Sequence, residues 1–267
     1  MISWNNLKLN QKKEVIIIQI DIKNIEIRRF RIIMYFLFGT LLLSACGKDD
    51  GESPTPINLS DDFASCNSQL SACTNGNGQY CLFGFKWGND SLFEVSNINS
   101  GPKSSGGIVN YSFQEENGFI NTHRQINLPS KSYNKLLPCA KNQIRKALMA
   151  WANIANIEFV ESSNNSKSQI RFYVADILQS GIGYPNYPDD LCGRLSGSVI
   201  IQSELIIRDC DSFYIFALHE IGHVLGLGHV NSNNVMNPNF SSFNFQELQV
   251  GDTLGIVQIY GENLSIR

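Results

Sequence analysis

His219-Glu220-Ile221-Gly222-His223-Val224-Leu225-Gly226-Leu227-Gly228-His229 carries more chemical information than any other stretch of this chain. The residues before it, Ser212 to Leu218, are mostly apolar and free of Gly and Pro, and Asp211 or Ser212 is placed to cap a helix start. A helix running on through the motif puts His219 and His223 at i and i+4, so both imidazoles project from one face and can share one ion. Glu220 lies between them, beside the ion but not needed as a ligand. Gly226 is where the helix is expected to end, because Gly tolerates the left-handed conformation that reverses the chain. After that turn His229 can return as a third ligand. Three neutral imidazoles leave one position of a tetrahedral Zn2+ open, the mark of a catalytic rather than a closed structural site. The motif uses three of the four histidines in the sequence. A buried helix that carries His by chance would not be expected to match the metal geometry this closely.

Seven residues beyond His229 stands Met236, within Asn233-Asn234-Val235-Met236-Asn237-Pro238. A methionine at this distance resembles the Met-turn of the metzincin metallopeptidases, in which its side chain forms an apolar floor under the zinc ligands. An isolated Met would more often be ordinary core packing.

Upstream, the chain from Gly107 has the pattern of a compact mixed α/β domain. Ile108 to Phe113 largely alternates apolar and polar residues, which predicts a first strand. Between Pro138 and Ile157, Ile144, Leu148, Trp151 and Ile154 recur at helical spacing. Ile157 to Val160 and Ile170 to Val174 read as strands. Gly181-Ile182-Gly183-Tyr184-Pro185 reads as a loop, and Ser198 to Gln202 and Leu205 to Ile207 are apolar runs rich in β-branched residues.

These features narrow the resemblance. Lys146 to Trp151 followed by Ile157-Glu158-Phe159 is similar to the first helix and next strand of matrixins. Gly222, Leu225, Gly226, Leu227 and Gly228 match their form of the zinc motif, and Asp252 to Gly261 resembles their last helix, with Gln258 one place later. The likeness spans about residues 107–261. It implies an α+β fold: a twisted mixed sheet, a long first helix, a zinc-binding active-site helix, a Met-turn and a C-terminal helix. There are departures. Val230 stands where matrixins usually carry Ser, and Asn237-Pro238-Asn239-Phe240 where they show Tyr-Pro-x-Tyr. By the resemblance Pro238, Asn239 and Phe240 form the wall of the primary specificity pocket, with Phe240 replacing Tyr. The second, structural zinc of matrix metalloproteinases is not expected, because only His123 is left to bind it. Calcium held by Asp189, Asp190, Asp209 or Asp211 has no recognisable ligand spacing, and these carboxylates read as solvated loop groups.

The rest of the sequence concerns delivery. Arg28, Arg29 and Arg31 precede an apolar run from Ile32 to Leu43, then Ser44-Ala45-Cys46. Basic region, short apolar core and small residues form a signal peptide, too short for a comfortable membrane span of about 20 residues. Leu43-Ser44-Ala45-Cys46 resembles a bacterial lipobox, which implies lipidation at Cys46; a plain secretory signal cut nearby is the alternative. Residues 1–27 precede any ordinary signal, as an early-assigned start codon would explain. Residues 47–62 read as a polar tether. By resemblance to Gram-negative lipoproteins, Gly47 favours the outer membrane. Lys48-Asp49-Asp50 is similar to surface-export signals of some Bacteroidetes lipoproteins, although a solvated linker gives the same composition.

Besides Cys46 there are six cysteines, Cys66, Cys73, Cys81, Cys139, Cys192 and Cys210. In an oxidising compartment three disulfides are expected, with Cys192–Cys210 the favoured pair and the other two unassigned. Residues 63–106 read as a loop-rich extension or a short inhibitory prosegment, and both readings stay open. The Pro-Arg-Cys-Gly motif that keeps many matrix metalloproteinases latent is absent. A net charge of −3 gives no reason to expect nucleic acid as a partner.

The function implied is a secreted, membrane-anchored, monomeric zinc endopeptidase acting on peptide or protein substrates, with Glu220 as general base and acid. A tethered binding or adhesion lipoprotein with an inactive domain is the alternative, and the intact Glu220 argues against it. A zinc hydrolase acting on a non-peptide bond is the other; the likeness outside the motif argues for a peptidase.

Overall fold

In the computed structural model, which describes residues 66, 74–75, 78–93, 103–121, 127–188, 192–207 and 209–264, one mixed sheet is organised around two central strands. These are β7 (Ile170–Ala175) and β9 (Ser198–Gln202), paired in parallel. Both are buried along nearly their whole length, which is why their sequences are apolar runs without clean alternation. Ile170, Phe172, Val174, Val199 and Ile201 face the main core, while Tyr173, Ala175 and Ile200 face a second cluster.

On the other side of β7 lies β3 (Gly107–Phe113), parallel to it, and outside β3 the parallel edge strand β6 (Ile157–Glu161). Outside β9 runs β8 (Gly181–Gly183), antiparallel. A hairpin of β4 (Gly118–Asn121) and β5 (Asn127–Lys131) joins the far end of β7. A separate pair, β1 (Thr74–Asn75) and β2 (Cys81–Leu82), precedes the sheet.

Three helices are described: α1 (Ala140–Ile154), α2 (Cys210–Val224) and α3 (Val250–Tyr260). In α1, Ile144, Ala147, Leu148 and Trp151 form the buried stripe, and the Trp151 indole donates to Leu218 O at 3.2 Å, fastening α1 to α2. From Phe213 to Val224 every residue of α2 is buried. The mixed α/β class and the twisted mixed sheet match the expectation from sequence.

Several local expectations are corrected. Gly181–Gly183 is a strand, not a loop, because Ile182 and its neighbours pair with Val199–Ile201. The apolar run Leu205–Ile207 forms no strand: Leu205 N–H closes a turn on Gln202 O, and Ile206 is left exposed. The cap of α2 is Asp209, not Asp211 or Ser212; its carboxylate accepts the Ser212 N–H at 2.8 Å. That role accounts for Asp209 without calcium, and Asp211 is an exposed first-turn residue.

The favoured Cys192–Cys210 pair is wrong. Cys66 bonds Cys192 and Cys139 bonds Cys210. Cys139 caps α1 and Cys210 opens α2, so the bridge ties the starts of two packed helices, a proximity that chain distance does not reveal. Cys81 is also disulfide-bonded, to a partner outside the described residues. The leader 1–46 with Cys46, the tether 47–62, Cys73, His123, Asp189 and Asp190 also lie outside the described residues. Among the described residues no helix is long and apolar enough to cross a membrane.

Candidate metal centre

His219 and His223 project from one face of α2, and the chain then reverses. The Gly226 N–H bonds His223 O and the Leu227 N–H bonds Gly222 O, the paired bonds of a Schellman ending. Gly226 takes φ +103°, and a Cβ there would lie 2.2 Å from Phe85 O, so both conformation and space require glycine. The reversal returns His229 to the other two. The three Nε2 atoms form a triangle with sides of 3.1 Å.

Zinc bound by imidazoles at about 2.0–2.1 Å with tetrahedral angles would set its nitrogens roughly 3.3 Å apart, so this triangle fits the ion closely. The tautomers fit as well. His219 Nδ1 lies 2.7 Å from Val235 O and His223 Nδ1 lies 2.8 Å from Leu227 O. A carbonyl can only accept, so each Nδ1 carries the proton and each Nε2 turns a lone pair inward. Such lone pairs facing one another repel unless a cation lies between them. Burial holds the imidazoles neutral: it pushes His219 down to about 4, takes His223 well below its ordinary value and lowers His229. Among the described residues this is the one cluster of three or more His, Cys, Asp or Glu able to hold a metal. His229 is its solvent-exposed member.

Glu220 stands beside the triangle, fully enclosed. Burial pushes its carboxyl up to about 8, against the pull of a hydrogen bond from the Gly183 N–H. Its Oε2 finds no partner among the described residues. Strand β8 passes directly over it: a Cβ on Gly183 would lie 2.2 Å from Glu220 O, so glycine is needed for so close an approach. A buried carboxylate oxygen with no protein partner beside a metal site is placed to handle a proton on water or substrate.

Met236 lies below, 2% exposed, and a Cβ on Gly222 would fall 2.3 Å from its sulfur. Asp252 accepts the N–H groups of Val235 (2.9 Å), Met236 (3.2 Å) and Gln249 (2.8 Å). It therefore fixes the segment whose Val235 carbonyl orients His219. Phe240 packs its ring on His219 at 4.6 Å between centroids. It also lines a cavity of about 710 Å³ together with Lys146, Tyr214, Ile215, Phe243 and Phe245. Pro238 and Asn239 are exposed and do not line that cavity.

Sequence reasoning did not find Gly183, the Leu227 and Val235 carbonyls, or Phe83, whose ring stacks on His223 at 5.8 Å. The Gly181-x-Gly183 pair was a usable signal of close approach; main-chain acceptors leave no mark in sequence.

The fold and this centre together support a likeness to the metzincins. Residues 202–261 match the family model Peptidase_M10, described as Matrixin. The chain is similar to Serralysin B of Dickeya chrysanthemi, 32% identical over 123 residues, covering 42% of this chain and 25% of that protein. It is similar to Metalloendoproteinase 1-MMP of Arabidopsis thaliana, 27% identical over 148 residues, covering 48% of this chain and 39% of that protein. With Metalloprotease AprA of Pseudomonas entomophila (strain L48), identity is 25% over 104 residues, covering 37% of this chain and 21% of that protein. The matches thus span only about a fifth to two fifths of these relatives' lengths.

Proposed function

We propose that this protein is a zinc-dependent endopeptidase, exported and lipid-anchored at Cys46 in a bacterial outer membrane. The observation that carries the peptidase reading is the Nε2 triangle with the enclosed, unpartnered Glu220 oxygen beside it. Similarity to proteins named as metalloproteases supports it. The anchor rests on the sequence around Cys46 alone.

His219, His223 and His229 would hold the zinc ion, which when bound would supply a Lewis acid for water and the peptide carbonyl and a positive charge that favours the ionised form of Glu220. Glu220 takes a proton from the water as its oxygen attacks the carbonyl carbon. It holds that proton in its buried pocket and delivers it to the amine nitrogen as the C–N bond breaks. The substrate is a peptide in extended form, because among the described residues β8 is the outermost strand on its side of the sheet and lies beside Glu220. The cavity behind Phe240 is large enough for a bulky side chain.

The test is a quenched peptide library incubated with purified protein, with and without a chelator. Cleavage should stop on chelation and return with zinc. Glu220→Gln should keep one zinc per chain and lose activity by at least about 100-fold, the size of a general acid–base contribution. His219→Ala should lose the metal as well. Full turnover by Glu220→Gln would sink the assignment.

A further inference from the structure

The segment before the sheet reaches the metal centre itself. Cys81–Phe83 runs antiparallel to the turn that follows α2: the Phe83 N–H donates to Gly226 O at 2.9 Å and the Gly228 N–H donates to Cys81 O at 2.9 Å, with Leu82 opposite Leu227. Leu227 is the residue whose carbonyl orients His223, and Gly228 precedes His229. Phe83 lays its ring on His223, inclined by 23°.

Nearby, the last carbonyls of α2 would be orphans at a buried helix end. Val224 O takes the Trp87 indole N–H at 3.0 Å, and Leu225 O takes the Tyr260 hydroxyl at 3.0 Å. That hydroxyl in turn accepts the Trp87 N–H at 3.1 Å. Gly226 O is the acceptor already taken by Phe83. The turn that carries His229 and the carbonyl orienting His223 is thus finished by Trp87 and Phe83, far upstream in the chain, and by Tyr260 of α3.

We propose that Cys81–Phe83 is a positioning element of the metal centre, with its main chain and the Phe83 ring holding His223 and the turn that brings His229 to the ion. It rests on the zinc reading above, and it makes this part of the upstream segment an integral piece of the site rather than a removable inhibitor. A ring stacked on one ligand and two main-chain bonds on the loop of another restrict the imidazoles before metal arrives, so less order has to be imposed by binding.

The experiment uses the full chain and measures zinc affinity by competition with a chromophoric chelator, and the visible spectrum of the cobalt-substituted protein. Phe83→Ala should weaken zinc binding by roughly 10–100-fold, the usual effect of losing a partner of a ligand, and should alter the cobalt bands. Phe83→Tyr should restore both. Phe85→Ala is the control, since Phe85 is equally buried but packs on Tyr187 and not on a ligand. It should lower the melting temperature while leaving zinc affinity within about twofold. Unchanged affinity in Phe83→Ala overturns the proposal, as does an equal loss in Phe85→Ala. Wild-type protein that binds zinc tightly but cuts no peptide sinks the peptidase reading and leaves this one standing.

Discussion

Asp252 shows what a single residue does at a distance from the reacting atoms. Its carboxylate is 1% exposed and is shared among three main-chain N–H groups, two of them in the Met236 turn. Burial raises its pKa, and the three donors oppose that rise. Asp252→Asn would turn an amide donor toward N–H groups that need an acceptor. The expected loss is about 1–3 kcal/mol in denaturant unfolding, the cost of unsatisfied buried polar groups, with weaker zinc binding through the loosened Val235 carbonyl. Equal stability of the variant would show that the turn holds itself. At this scale the sequence was informative where side-chain identity and spacing are tied together, and silent on the Phe83 ring. His219, His223, His229, Glu220 and Met236 all fall at the centre, because their identities and spacing are themselves the constraint. The carbonyls that set the imidazole tautomers belong to Leu227 and Val235, whose side chains say nothing about them.

Elements were legible where burial imposes a period and illegible where pairing alone makes them. Helix α1 and strands β3, β6, β7 and β9 could be placed from their apolar patterns. Strand β8 could not, since Gly-Ile-Gly has too little apolar surface to signal a strand and is held as one by β9. Conversely, Leu205–Ile207 is an apolar run that forms no strand. Charge adds a link between elements: Arg145 of α1 grips Glu161 of β6 with Nε–Oε2 2.7 Å and Nη2–Oε1 2.8 Å, and the Tyr111 hydroxyl donates to Oε2 at 3.0 Å. The Arg145 hydrogen bonds hold the Glu161 carboxyl below its usual range. Its contribution is therefore full above the ordinary glutamate pKa of about 4.3 and is lost as pH falls through the lowered value. Glu161→Gln should cost up to about 1 kcal/mol at neutral pH, the pair being more than a third exposed. That cost should shrink as unfolding is measured at progressively lower pH; a cost independent of pH would rule the ion pair out as its source.

For the molecule as a whole, the disulfides were the least readable feature. Cys139 and Cys210 are 71 residues apart and Cys66 and Cys192 are 126 apart. Pairing at such distances follows from how helices and loops pack, and cysteine spacing carries no trace of it. Closing loops of this length removes chain entropy worth about 4–5 kcal/mol per bridge on the polymer estimate. Helix α2 starts at one of these bridges, is buried from Phe213 to Val224, and is finished at its end by Trp87, Tyr260 and Phe83. Apart from the metal face and the side that lines the cavity beside Phe240, α2 is covered by the sheet, the first helix and the upstream segment. In deuterium labelling, the amides of residues 215–224 should therefore exchange last, at the rate of β7 and β9 and only when the whole domain opens. The exposed stretch 241–247 should exchange far sooner. Early labelling of 215–224 would contradict this. If it holds, the two helical ligands have no private route to local melting: His219 and His223 can be lost from the helix only when the protein itself unfolds.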